Sequence, residues 1–283
     1  MSDRRQWSLF LRRFLRHRMA VLSLLVLALL LIGCFGAELL APYEKNQQDL
    51  VLGPVGPSSA HWFGTDELGR DGLTEMMFAG QISLRIGLAV AFIATVVGTL
   101  LGALAGYFGK LSDQLLMRLT DLFLMLPAIA ILAIAIKKFG NSSTTIVLGL
   151  AGLGWMYIAR VVRGQVLSIK EKEFVDAARV SGASNSRIIT RHILPNIVGP
   201  ILVNATLGVA AAIVTESTLS FLGFGVQPPT TSWGRMLSDA RGTVGTKKAY
   251  LIYFPSLALL LSVLSVNFIG DGLRDAFDPR SKR

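Results

Sequence analysis

The sequence predicts an all-α integral membrane protein of six transmembrane helices with both termini cytoplasmic. Three observations carry that reading. First, the chain is 52% hydrophobic and only 16% charged, with a mean hydropathy of +0.55, too apolar for a water-soluble domain of its length. Second, six apolar stretches approach the roughly 20 residues that a bilayer-spanning helix needs. Third, Lys and Arg are unevenly shared between the segments joining those stretches: 19 of the 28 fall in the amino-terminal segment, the 109–118 and 160–196 loops and the tail. Cytoplasmic loops carry the Lys/Arg excess, so these segments are placed inside. Acidic residues divide equally between the two sides, so the formal charge of +10 is the charge of the inner face.

Taken in order, segment 1–18 is cytoplasmic and carries Arg4, Arg5, Arg12, Arg13, Arg16 and Arg18. The first span is expected at Met19–Leu40. Its apolar run exceeds that of a secretory signal, so it is read as a retained helix, and Cys34 as a buried small residue and not a lipidation site. Residues 41–82 form an outer, periplasmic loop. His61, Asp66, Glu67 and Asp71 cluster there without tight ligand spacing, among Gly64, Gly69 and Gly72, so turn capping and pairing with Arg70 are preferred to metal binding. Five more spans fill a core at 83–271: Ser83–Phe108, Leu119–Ile136, Thr144–Val162, Ile197–Phe221 and Tyr250–Ile269. Residues 272–283 are a cytoplasmic tail, and Gly270-Asp271-Gly272 is expected to end the sixth span.

Within the spans, Gly98, Gly102 and Gly106 make a small-residue face for a close helix neighbour, either in this subunit or in another. Arg118 and Asp121, spaced i, i+3, are expected to pair. Asn204, Glu216 and Asn267 are the candidates for a translocation path, because polar groups at membrane depth are costly and usually have a task. Glu216 is equally open to an interfacial position or to pairing with a partner subunit.

Several function classes are excluded by what the residues lack. Gly106-Tyr107-Phe108-Gly109-Lys110 has neither the earlier Gly nor the following Ser/Thr of a phosphate-binding loop, so this chain is not expected to bind ATP. Three scattered histidines offer no zinc site, one cysteine allows no internal disulfide, and no catalytic residue is expected. A basic soluble domain for nucleic acid is absent; the inner face attracts anionic lipid instead.

The remaining feature is the polar loop 163–195. Glu173 to Ala183 reads as a helix with Phe174, Ala177, Ala178 and Ser181 on one face, stopped by Gly182. Ser184 or Asn185 caps a second short helix through Arg191, and Pro195 leads into the next span. Alanines on a surface helix permit close approach of another backbone, which marks a docking surface.

Asp176-Ala177-Ala178, then Gly182, then Leu194-Pro195 resembles the cytoplasmic "EAA" loop of membrane subunits in binding-protein-dependent ABC importers. Asp176 stands where that pattern has Glu, and His192 where it has Ile. His61-Trp62-Phe63-Gly64-Thr65-Asp66, Ser220-Phe221-Leu222-Gly223-Phe224-Gly225 and Gly270-Asp271-Gly272-Leu273-Arg274-Asp275 are similar to the second permease subunit of dipeptide, oligopeptide and nickel systems. The resemblance implies a type I importer fold in the bacterial cytoplasmic (inner) membrane. It implies a homologous permease as partner, two cytoplasmic ATPase subunits that hold the ATP and Mg, and an extracytoplasmic substrate-binding protein delivering di- or oligopeptides. Glu173, Phe174, Asp176, Ala177, Ala178, Ser181, Gly182 and Ala183 would then couple to an ATPase subunit. Nickel complexes or another small solute are the alternative cargo, and a secondary transporter the alternative mechanism.

Overall fold

The computed structural model describes residues 10–277; Arg4, Arg5 and the 278–283 part of the expected tail lie outside the described residues. Among the described residues, five helices are long and apolar enough to cross a bilayer: α1 (Arg18–Phe35), α2 (Gly72–Phe108), α5 (Ser143–Ile169), a continuous helix Asn185–Phe221 ending in α7 (Val198–Phe221), and α9 (Tyr250–Phe277). The remaining expected span, Leu119–Ile136, is two helices, α3 (Lys110–Met125) and α4 (Ala128–Phe139), bent by 86° at their junction. Pro127 supplies the reason. It pushes the preceding Leu126 into extended backbone (φ −83°, ψ 143°), because the ring clashes with a helical residue before it.

Two of the spanning helices start at short polar side chains. Asp71 caps α2 by accepting the Thr74 N–H at 2.8 Å, and Ser142 caps α5 by accepting the Thr145 N–H at 3.1 Å. The Asp71 cap moves the start of α2 eleven residues ahead of the expected Ser83. Likewise α9 runs to Phe277 through Gly270 and Gly272 and does not stop there. Those glycines serve packing: a Cβ on Gly270 would meet Thr206, and one on Gly272 would meet Phe14. The expected break before Pro195 is also absent. Instead the helix winds wide over Ile188–Ile193 and tight over Leu194–Ile197, absorbing the missing proline donor without ending.

Gly98 and Gly106 settle the question of the small-residue face. A Cβ on Gly98 would lie 2.6 Å from the Trp155 carbonyl oxygen, and one on Gly106 would lie 2.9 Å from Val166 Cβ. The face therefore packs on α5 of the same chain, where only glycine lets two helix backbones come so near. Ile86, Val90, Leu132, Leu150 and Leu219 join α2, α4, α5 and α7 in one buried cluster. Both ends of the described chain meet at one end of the bundle, where the Phe10 and Phe277 rings lie 4.6 Å apart, tilted by 45°, and His17 Nε2 lies 3.8 Å from Asp275.

The opposite end is closed by the segment between α7 and α9, which includes a short helix α8 (Trp233–Asp239). Trp233 is wholly buried among Cys34, Ala79, Leu84, Ile213 and Ala258, and its indole N–H donates to the Met76 carbonyl at 3.0 Å.

Candidate functional site

The loop between α5 and the 185–221 helix folds as α6 (Glu173–Val180). Glu173 and Asp176 in its first turn and Arg179 in its last complement the helix dipole, and Asp176 pairs with Arg179 at 2.7 Å. The helix ends in a Schellman arrangement: the Ala183 N–H bonds the Ala178 carbonyl at 3.0 Å, and the Gly182 N–H bonds that of Arg179 at 3.1 Å. Gly182 takes φ +77° there, a conformation that costs a residue with a Cβ. Ser184 then accepts the Arg187 N–H at 3.4 Å and starts the next helix.

One side chain anchors α6. Val175 is 0% exposed and packs in a cluster with Val162, Val166, Ile188, Ile193 and Ile197, against which Ala178 and Ala183 are partly buried. Glu173, Phe174, Asp176, Ala177, Ser181 and Gly182 face outward. Of the four residues expected on one face, Phe174, Ala177 and Ser181 are outward, whereas Ala178 turns toward the chain's own core, because Val175 and Ala178 at i, i+3 define the inner side.

The path candidates separate. Asn204 lines a cavity of about 420 Å³ bounded by α2, α4, α5 and α7, together with Tyr157, Thr215, Leu132, Leu150 and Leu207. Its side-chain amide is already used, donating to the Pro200 carbonyl at 2.8 Å. Asn267 is half-buried on α9 and does not line that cavity. Glu216 is 0% exposed and lies in a sealed polar cluster. It accepts from Ser220 Oγ at 2.7 Å, Ser83 Oγ at 3.3 Å and Ser217 Oγ at 3.4 Å. Ser232 bonds Ser220 at 3.3 Å, and the Trp233 N–H donates to Ser83 at 3.2 Å. Glu216 thus joins α2, α7 and the approach to α8.

In the outer loop the four acidic and imidazole groups are engaged locally. His61 Nδ1 lies 2.9 Å from Asp71, the α2 cap. Asp66 pairs with Arg70 at 2.6 Å, and Glu67 with Lys248 at 2.7 Å. The Tyr250 hydroxyl donates to the Thr65 carbonyl at 2.7 Å and fastens the loop to α9.

Asp121 does not pair with Arg118. It accepts from Arg160 Nη2 at 2.5 Å, and Asp113 receives both Nε and Nη2 of Arg163, the latter at 2.6 Å. Sequence reasoning missed both pairs, although Arg160 and Arg163 at i, i+3 share one face of α5 and were the available signal. Lys170 Nζ further donates to the Gly106 carbonyl at 3.1 Å and closes the end of α2.

Comparison with known proteins bears directly on this arrangement. Residues 98–283 match the family described as the binding-protein-dependent transport system inner membrane component, and residues 5–54 match the N-terminal transmembrane domain of oligopeptide transport permease C. The oligopeptide transport system permease protein OppC of Mycobacterium tuberculosis is 42% identical over 277 residues, spanning 97% of this chain and 95% of that protein. OppC of Haemophilus influenzae is 40% identical over 284 residues, spanning 100% and 91%. A solved inward-facing structure of the MetNI methionine ABC transporter has a chain with the same fold, at a TM-score of 0.56 and 20% identity, covering 70% of this chain and 94% of that one. This multi-pass membrane chain belongs to the binding-protein-dependent transport system inner membrane component family, the permease subunits of ABC importers.

Proposed function

We propose that this chain is one permease subunit of an ATP-driven importer. With a homologous permease it forms the passage for di- or oligopeptides delivered by an extracytoplasmic binding protein. Two cytoplasmic ATPase subunits hold ATP and Mg; this chain binds neither. The observation that carries the reading is α6: a short helix pinned at Val175 and stopped by Gly182, offering Phe174, Ala177 and Ser181 outward. Such a helix fits a cleft on an ATPase subunit. Closure of the ATPase pair on ATP moves α6 and shifts the spans between inward and outward access. For that coupling the α6 contact must differ in free energy between the two states, since an equally tight contact in both shifts nothing.

The cargo assignment follows the OppC relatives. The cavity suits it, because its wall is mostly aliphatic with a few hydroxyl and amide groups and no fixed charge. A peptide with charged ends and varied side chains passes such a surface without being held. The test is uptake into proteoliposomes that contain this chain and its neighbouring gene products, supplied with a peptide-loaded binding protein. The expected result is accumulation that requires ATP. Transport by the purified chain alone, without nucleotide, would establish a secondary transporter instead.

A further inference from the structure

Helix α3 is attached to the bundle in an unusual way. Thr120 is its one buried side chain, and Leu111, Leu115, Leu119, Leu122 and Phe123 are exposed along it. None of its residues belongs to the buried apolar clusters of the described chain. Its side-chain ties run to α5 and are polar: Asp113 to Arg163, Asp121 to Arg160, and Thr120 Oγ1 to Arg160 Nε at 3.3 Å. The Arg163–Asp113 contact is two-pronged, which fixes direction as well as distance.

Both arginines lie near the end of α5 that leads, through Lys170–Lys172, into α6. At its far end α3 turns through 86° into α4, whose Ala128 and Leu132 line the cavity beside α5. We infer that Arg163 and Arg160 are positioning residues for transport. They carry displacement of α6 and the inner end of α5 into α3, which pivots at the Leu126–Pro127 corner and moves α4 at the cavity wall. Apolar packing would let α3 slide on α5, whereas a forked guanidinium–carboxylate pair makes the two helices move together. This inference rests on the importer reading and names a route within it.

The test uses the full reconstituted complex with Arg163→Asp, Asp113→Arg and the double exchange, reading peptide taken up per ATP hydrolysed. Each single reversal is expected to assemble and hydrolyse ATP but to lower that ratio at least about fivefold, the lower end of ordinary coupling factors. The double exchange should recover most of it. Unchanged uptake per ATP in the single variants overturns the inference, as does a double exchange that recovers nothing. Should a reversal fail to assemble, Arg163→Lys and Asp113→Asn replace it; the Lys variant keeps the charge without the fork and should retain an intermediate ratio, and a wild-type ratio in both overturns the proposal. A wild-type complex with no ATP-dependent uptake overturns the importer reading itself, and this inference with it.

Discussion

At the outer end of the bundle Glu216 and Trp233 are wholly buried and tied through Ser83, Ser220 and Ser232 to three separate elements. At the inner end a single valine, Val175, anchors a helix whose other side is open, and α3 is held by ion pairs that remain partly exposed. The two ends therefore answer to different demands. Buried hydroxyl–carboxylate contacts are expensive to break, since each partner left behind has no water to turn to. One-sided packing on a single buried side chain costs far less to shift, because most of that helix is already exposed. The outer end is built to stay together, and the inner end is the easier of the two to move.

That contrast can be broken by substitution. Trp233→Ala should have the largest effect, a loss of about 3–5 kcal/mol from the cavity it leaves, seen as a lowered thermal midpoint of the detergent-purified complex. Glu216→Ala strands the surrounding hydroxyls and should cost about 2–3 kcal/mol. Glu216→Gln retains an accepting oxygen and should recover much of that difference in the same melt; equal loss in the two variants would mean that bulk and not hydrogen bonding holds the cluster. At the inner end, Gly182→Ala must adopt φ +77° with nothing near its Cβ, so only backbone strain of about 1–2 kcal/mol is expected. It should appear as faster amide exchange confined to α6. Lys248→Ala, which breaks the exposed pair with Glu67, should change the melt by less than about 1 kcal/mol.

The two ends were not equally readable in the sequence. The α6 helix, its stop at Gly182 and the Ser184 cap follow from local signals within a dozen residues, and so were legible. The outward face was read correctly at Phe174, Ala177 and Ser181 and wrongly at Ala178. Phe174 and Ala177 are bulky or small in ways that suit docking, but burial of Val175 depends on Ile188 and Ile193, which return from the next helix. The corner at Leu126–Pro127 had a local signal in Pro127, overridden by the unbroken apolar run around it. Glu216 was visible as an isolated acid in a span, whereas its enclosure by Ser83 and Ser232 is a contact between distant segments that no spacing encodes. Asp121 had two arginines in reach, and the local partner Arg118 lost to Arg160 on α5, whose side chain also bonds Thr120.

The exposed face of α6 is the part of the account on which the importer reading stands. Ala177→Arg places a long charged side chain on that face, leaving Val175 and Ala178 against the core. The decisive measurement is ATPase activity of the reconstituted complex, with and without peptide-loaded binding protein, for wild type and Ala177→Arg complexes of matched stability. The account predicts strong stimulation in wild type, and in the variant either no stimulation or loss of the ATPase subunits on purification. Full stimulation in Ala177→Arg would contradict it, because the face named here would then not be where the ATPase takes hold.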